Sequence, residues 1–199
     1  AQGTAAHRWA GLLKYYQWLV RAMVSDPSFG LGAPRNEARG LLVYHTMGMG
    51  KTRLAVAAMM AVWDTRPPVV LLARGLQKNF REAVEGVVRA LNPDADAETL
   101  KALQDAAAAK LTFVSMDAYN SADQMARVGT GAKTVRRGDI VGATGGLDGK
   151  FLIVDEAHNF FRARINSGAE NANARRLYDM VQAARDLRPA MAEIGNKLS

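Results

Sequence analysis

The run Leu41-Leu42-Val43-Tyr44-His45-Thr46-Met47-Gly48-Met49-Gly50-Lys51-Thr52 constrains this chain more than any other stretch. Its first residues are apolar enough for a buried strand, and two glycines then break the strand into a turn. A helix-forming run, Leu54 to Trp63, follows at once. Successive backbone N–H groups in such a turn converge on one point, and the helix start adds the positive end of its dipole. The pattern is therefore an anion cradle. Gly48 and Gly50 let the backbone pass close to phosphate, with Met49 between them and Arg53 just beyond. Lys51 reaches the β and γ phosphates, and the Thr52 hydroxyl holds Mg²⁺. A nucleoside triphosphate is the ligand this geometry suits.

The eight-residue phosphate-loop pattern is met except at its first position, where His45 stands in place of Gly. The chain carries its own control in Gly129-Thr130-Gly131-Ala132-Lys133-Thr134. That segment has no apolar strand before it, no Gly next to its Lys, and Val135-Arg136-Arg137-Gly138 after it rather than a helix. It reads as a basic loop.

A triphosphatase also needs a carboxylate for Mg²⁺ and a base to orient the attacking water. Phe151-Leu152-Ile153-Val154-Asp155-Glu156-Ala157-His158 offers both. Four apolar residues make a buried strand, and the acidic pair falls at its C-terminal end, where ligands of open parallel sheets bind. Asp155 is the candidate metal carboxylate and Glu156 the candidate base. His158 is placed to couple the site to a neighbouring domain or to nucleic acid. The bland alternative is a strand ending in a solvated acidic turn.

Met47-Gly48-Met49-Gly50-Lys51-Thr52 and Asp155-Glu156-Ala157-His158 together resemble motifs I and II (the DEAH box) of superfamily 2 helicases and translocases. The chain looks most like the helicase-type NTPases of large DNA viruses, such as the poxvirus early-transcription-factor and transcript-release ATPases. Swi/Snf-type remodelling ATPases are similar in the Met-Gly-x-Gly-Lys-Thr core. The resemblance implies ATP and Mg²⁺ as ligands and DNA or RNA as the partner. It also implies a RecA-like ATP-binding domain whose catalytic residues are Lys51, Asp155 and Glu156, with Thr52 and Asp155 on the metal.

Further segments follow the same order. Lys14-Tyr15-Tyr16-Gln17-Trp18-Leu19-Val20 resembles the upstream Gln motif, in which Gln17 would read the adenine edge beside Tyr15 or Tyr16. An amphipathic helix with its aromatics in the core is the competing reading. Val69 to Phe80 looks like motif Ia, with Arg74, Lys78 and Asn79 as candidates for gripping nucleic-acid phosphates, or else ordinary solvated residues at a helix start. Leu111-Thr112-Phe113-Val114-Ser115, followed by Tyr119-Asn120, sits where motif Ib belongs. Beyond His158 the family expects a strand and a Ser/Gly-Ala/Thr-Thr motif, which nothing here matches. The second RecA-like domain and its arginine finger are absent as well.

A chain of 199 residues suits one α/β domain, and 49% hydrophobic residues suffice for a core. The longest apolar run falls well short of the ~20 residues of a membrane span. Zero Cys excludes disulfides and thiolate metal sites, and fits an intracellular or virion-interior protein. His7, His45 and His158 are too scattered for a zinc site. A net charge of +7 favours an anionic partner. Nucleic acid fits best, with an acidic transcription or virion protein as the other option. The start at Ala1-Gln2-Gly3-Thr4 suggests a fragment or a processed chain.

Strand and helix patterns alternate, which predicts a parallel sheet with helices on both faces. The expected strands are Leu41–His45, Val69–Ala73, Leu111–Ser115 and Phe151–Val154. Leu76, Phe80, Val84, Val87, Val88 and Leu91 recur at helical spacing until Asn92-Pro93. Ala97–Lys110 reads as a helix with Leu100, Leu103 and Ala107 inward. A further helix begins at Asn173 and carries Leu177, Met180, Val181 and Ala184. Ser25–Arg39 and the Gly-rich Ser121–Lys150, with Arg127, Lys133, Arg136 and Arg137, read as loops or insertions.

Two functions of different class follow. One is the motor domain of an ATP-dependent helicase or translocase, weak in turnover without its partner lobe, in viral transcription or genome handling. The other is a virion-packaged structural or regulatory component that keeps the nucleotide fold without working as a motor.

Overall fold

The structure, a computed structural model, describes residues 8–26, 40–44, 48–128, 147, 149–157 and 172–183. It divides into two compact units, one of residues 1–65 with 78–110, the other of residues 66–77 with 111–199. His45, Met47, His158, the Gly129–Thr134 control and most of the expected 25–39 and 121–150 loops lie outside the described residues.

In the first unit, helix α1 (Tyr15–Ser25) packs on helix α2 (Lys51–Val62). Helix α2 is built almost wholly of good helix formers, and Leu54, Val56, Ala57, Ala58 and Met59 are buried. Its alanines keep the surface low enough for another helix to lie close. Helix α3 (Gln77–Leu91) buries Phe80, Val84, Val87 and Val88, the middle of the stripe that the sequence spacing predicts, while Leu76 is exposed in the turn before the helix and Leu91 is half-buried. Helix α4 (Ala97–Ala109) starts at Asp96, whose carboxylate accepts the Thr99 backbone N–H at 2.7 Å. Along α4 Ala107 is buried, but Leu103 is exposed rather than inward. Around the edges, the Arg21 guanidinium lies 4.6 Å from the Trp9 ring centre, and Lys110 lies 4.6 Å from that of Trp63 while pairing with Asp64.

The second unit holds a three-stranded parallel sheet in the order β2-β1-β3. Strand β1 (Pro68–Leu72) pairs with β2 (Thr112–Ser115) through Val70 opposite Phe113, and with β3 (Phe151–Val154) through Val70 opposite Ile153. All five residues of β1 are buried, as a central parallel strand requires. Val69 and Leu71 share one face and join Val114 and Leu147. Helix α5 (Ser121–Arg127) adds Ala122, Met125 and Ala126 to this core, and helix α6 (Ala172–Ala183) adds Leu177 and Met180.

Two expectations are corrected. Residues 41–44 are not a strand: among the described residues no strand pairs with them, and Leu42 and Tyr44 are 82% and 90% exposed. An apolar run becomes a strand only when a neighbour accepts its backbone hydrogen bonds. Ser121–Lys150 is not a loop throughout, since Ser121–Arg127 is a helix with Ser121, Ala122, Met125 and Ala126 buried. Its short Ala/Met pattern was masked by the glycines that follow.

Candidate nucleotide and nucleic-acid sites

The turn before α2 has the backbone that its glycines permit. Gly48 and Gly50 take φ values of +78° and +74°, in the left-handed region that costs other residues about 1–2 kcal/mol. Gly50 is the N-cap of α2, and its carbonyl accepts the Leu54 N–H at 3.0 Å. Lys51 and Thr52 therefore open the first turn, both half-buried, while Arg53 is exposed. No acidic residue lies in that turn, so nothing within it offsets the positive end of the helix. A Cβ built on Gly48 would meet nothing within 4 Å. The open space, the two left-handed glycines and the helix start fit a polyphosphate.

Gln17 braces this turn from below. It is only 3% exposed, and its amide nitrogen donates to the carbonyls of Gly50 at 3.1 Å and Met49 at 3.4 Å. Its amide oxygen accepts the Lys14 N–H at 3.0 Å. Tyr16 adds a hydroxyl bond to the Met49 carbonyl at 2.7 Å. A Cβ on Gly50 would lie 2.7 Å from the Gln17 amide nitrogen, so glycine is required there for space as well as for φ. Sequence reading picked out Gln17 as an adenine reader and missed this bracing role. Tyr15 and Trp18 are exposed, not packed in the core.

Asp155 and Glu156 follow β3 in the second unit. The Asp155 N–H donates to the Leu71 carbonyl at 3.0 Å, extending the β1–β3 ladder by one rung. Its Oδ1 accepts the Glu156 N–H at 3.0 Å. Glu156 has φ +52°, and among the described residues it is the non-glycine with positive φ. That left-handed conformation costs a residue with a Cβ about 1–2 kcal/mol. No sequence pattern signals it.

Because the sheet is parallel, the ends of β1 and β2 lie on the same edge as Asp155. After β1 comes a short 3₁₀ turn, Arg74–Leu76, whose first N–H donates to the Asp117 carboxylate at 3.1 Å. Arg74, Lys78 and Asn79 are all exposed, and Lys78 makes an i,i+4 ion pair with Glu82 at 3.7 Å. Past β2, Tyr119 and Asn120 rim a cavity that also involves Gln77, Ser115, Asp117 and Gln124. Gln77, Asp117 and Gln124 escaped the sequence reading, since nothing in their spacing links them.

A parallel three-stranded sheet with helices packed on it is consistent with a helicase-type RecA-like domain, and the family comparison agrees with that fold class. Residues 1–188 match the family described as "Type III restriction enzyme, res subunit" (ResIII), and the chain belongs to that family. Among curated relatives, proteins named "Termination factor NPH-I homolog" from African swine fever virus isolates of Malawi and Kenya are each 38% identical over 181 residues. That alignment takes in 91% of this chain and 23% of each relative, so the chain spans about a quarter of their length. No solved structure matches. Among the described residues no helix is long and apolar enough to cross a membrane.

Proposed function

We propose that this chain is the ATP-binding part of a nucleic-acid translocase acting in viral transcription or genome handling. The observation that carries the reading is the turn with Gly48 and Gly50 at positive φ, which delivers Lys51 and Thr52 to the first turn of α2. In this proposal Lys51, Thr52, Asp155 and Glu156 all serve one triphosphate.

Lys51 then neutralises the β and γ phosphates, and backbone N–H groups of the turn hold their oxygens. Thr52 and Asp155 supply the hydroxyl and carboxylate that suit Mg²⁺, a hard cation that keeps most of its waters and takes one or two protein ligands. Bound there, Mg²⁺ would offset charge on the transferring phosphoryl group. Glu156, aimed by its strained backbone, orients the attacking water. His158 couples this event to nucleic acid. Arg74, Lys78 and Asn79 grip a phosphate backbone at the sheet edge, which suits a chain of net charge +7. The names of the viral relatives are what favour transcription as the setting, with transcription or virion proteins as further partners.

Thermal unfolding with and without Mg-ATP tests the nucleotide site. At a hundredfold excess over Kd, ligand adds about 2.7 kcal/mol, or roughly 5–11 °C in Tm for a chain of this size. Lys51→Ala removes the shift. No shift in the unaltered chain at millimolar Mg-ATP would overturn the reading and favour a structural component that keeps the fold alone.

A further inference from the structure

The cavity beyond the ends of β1 and β2 has a volume of about 740 Å³, within the ~300–1,000 Å³ of small-ligand pockets. All its lining residues belong to the second unit. Its wall is a chain of amides held in place by one another. Gln77 Nε2 donates to Ser115 Oγ at 3.2 Å, the Ser115 N–H donates to Gln124 Oε1 at 3.0 Å, and Gln124 Nε2 donates to Asn120 Oδ1 at 2.8 Å. These bonds leave Asn120 Nδ2, with its two N–H donors, and the acceptor Gln77 Oε1 without a partner among the described residues. Tyr119 stands at the rim, 93% exposed. Arg74 is exposed at the same rim.

An aromatic of that size left in water gains nothing for the fold, and it is the usual platform for stacking an unpaired base. A free amide acceptor beside free amide donors suits a base edge better than a phosphate diester, which offers only acceptors. The Asp117 carboxylate in the same wall would repel a phosphate inside the cavity, whereas Arg74 at the rim suits one outside it. From this arrangement we infer that the cavity takes a single unstacked nucleobase of a nucleic-acid strand, with Tyr119 on its face and Asn120 and Gln77 on its edge. The inference rests on the nucleic-acid reading above and deepens it, adding base contacts to phosphate contacts.

Binding of a single-stranded oligonucleotide carrying one 2-aminopurine, followed by anisotropy and by fluorescence quenching, tests the inference on the 199-residue chain. Tyr119→Ala should weaken binding about 5- to 100-fold and abolish quenching, with the salt dependence unchanged, because no phosphate contact is lost. Tyr119→Phe should retain both within about twofold. An oligonucleotide with one abasic position should bind the unaltered chain as weakly as the intact strand binds Tyr119→Ala. Salt-sensitive binding that ignores both Tyr119→Ala and the abasic position would overturn the base pocket and leave the translocase reading standing. Absence of any oligonucleotide binding would overturn both. Quenching by free 2-aminopurine ribonucleotide as strong as by the strand would overturn the strand as the source of the base.

Discussion

Replacing Gly50 with Ala separates two physical demands at the phosphate turn. The first is conformational: φ is +74°, and a Cβ there costs about 1–2 kcal/mol. The second is spatial: the new methyl group would sit 2.7 Å from Gln17 Nε2, and Gln17 is buried and cannot swing into solvent. Its amide must withdraw from the Gly50 and Met49 carbonyls, losing two hydrogen bonds of about 0.5–1.5 kcal/mol each, the longer one at the low end. The sum is about 2–4 kcal/mol, or roughly 4–16 °C in Tm. The two demands can be told apart by a double-mutant cycle in thermal or urea unfolding. In a Gln17→Ala background the same Gly50→Ala change should cost only the conformational share, about 1–2 kcal/mol, so the pair is less than additive. Strict additivity, or a Gly50→Ala cost below about 0.5 kcal/mol, would refute the bracing role of Gln17.

Glu156→Gly should leave stability unchanged or raise it by up to about 1 kcal/mol, since relief of positive φ offsets the unfolded-state entropy of glycine. A fall of several kcal/mol in urea unfolding would show that Glu156 is structural. Lys78→Ala should shift stability by less than about 0.5 kcal/mol, because its ion pair with Glu82 is exposed. It should also reduce the salt slope of single-stranded oligonucleotide binding by about 0.7; an unaltered slope would remove Lys78 from the interface. Asp96 is held below its ordinary carboxylate range by the Thr99 N–H. Because its folded pKa is depressed, its stabilisation is present above the unfolded value near ~3.9 and is lost as pH falls through the folded value. The Tm gap between the unaltered chain and Asp96→Ala should therefore be open at neutral pH and narrow on acidification, and a gap independent of pH would contradict the cap.

Elements whose signal is local were legible in the sequence. The α3 stripe, the β1 and β3 runs, and the glycine turn into α2 each follow from residue type and spacing, and the ResIII family confirms the helicase-type resemblance. Elements that depend on a neighbour were not. Residues 41–44 have strand composition, yet among the described residues nothing pairs with them. Helix α5 is seven residues long, too short for periodicity to separate it from the glycine-rich run beside it, and packing holds it in place. Lys51 and Asp155 stand out in the sequence because the chemistry proposed for them requires fixed company there. The bond from Gln17 to the Gly50 carbonyl and the chain from Gln77 to Asn120 join residues far apart or unremarkable in spacing, so only the fold brings them into view.

An ATPase of the proposed kind requires the lysine-bearing turn and the acidic strand end to serve the same nucleotide. Calorimetric titration with ATP, in Mg²⁺ and again in EDTA, measures this directly on the unaltered chain and on Asp155→Ala. Mg²⁺ should tighten binding to the unaltered chain, and Asp155→Ala should lose this gain while still binding ATP in EDTA through the intact turn. An Asp155→Ala chain that keeps the full Mg²⁺-dependent gain would contradict a shared nucleotide.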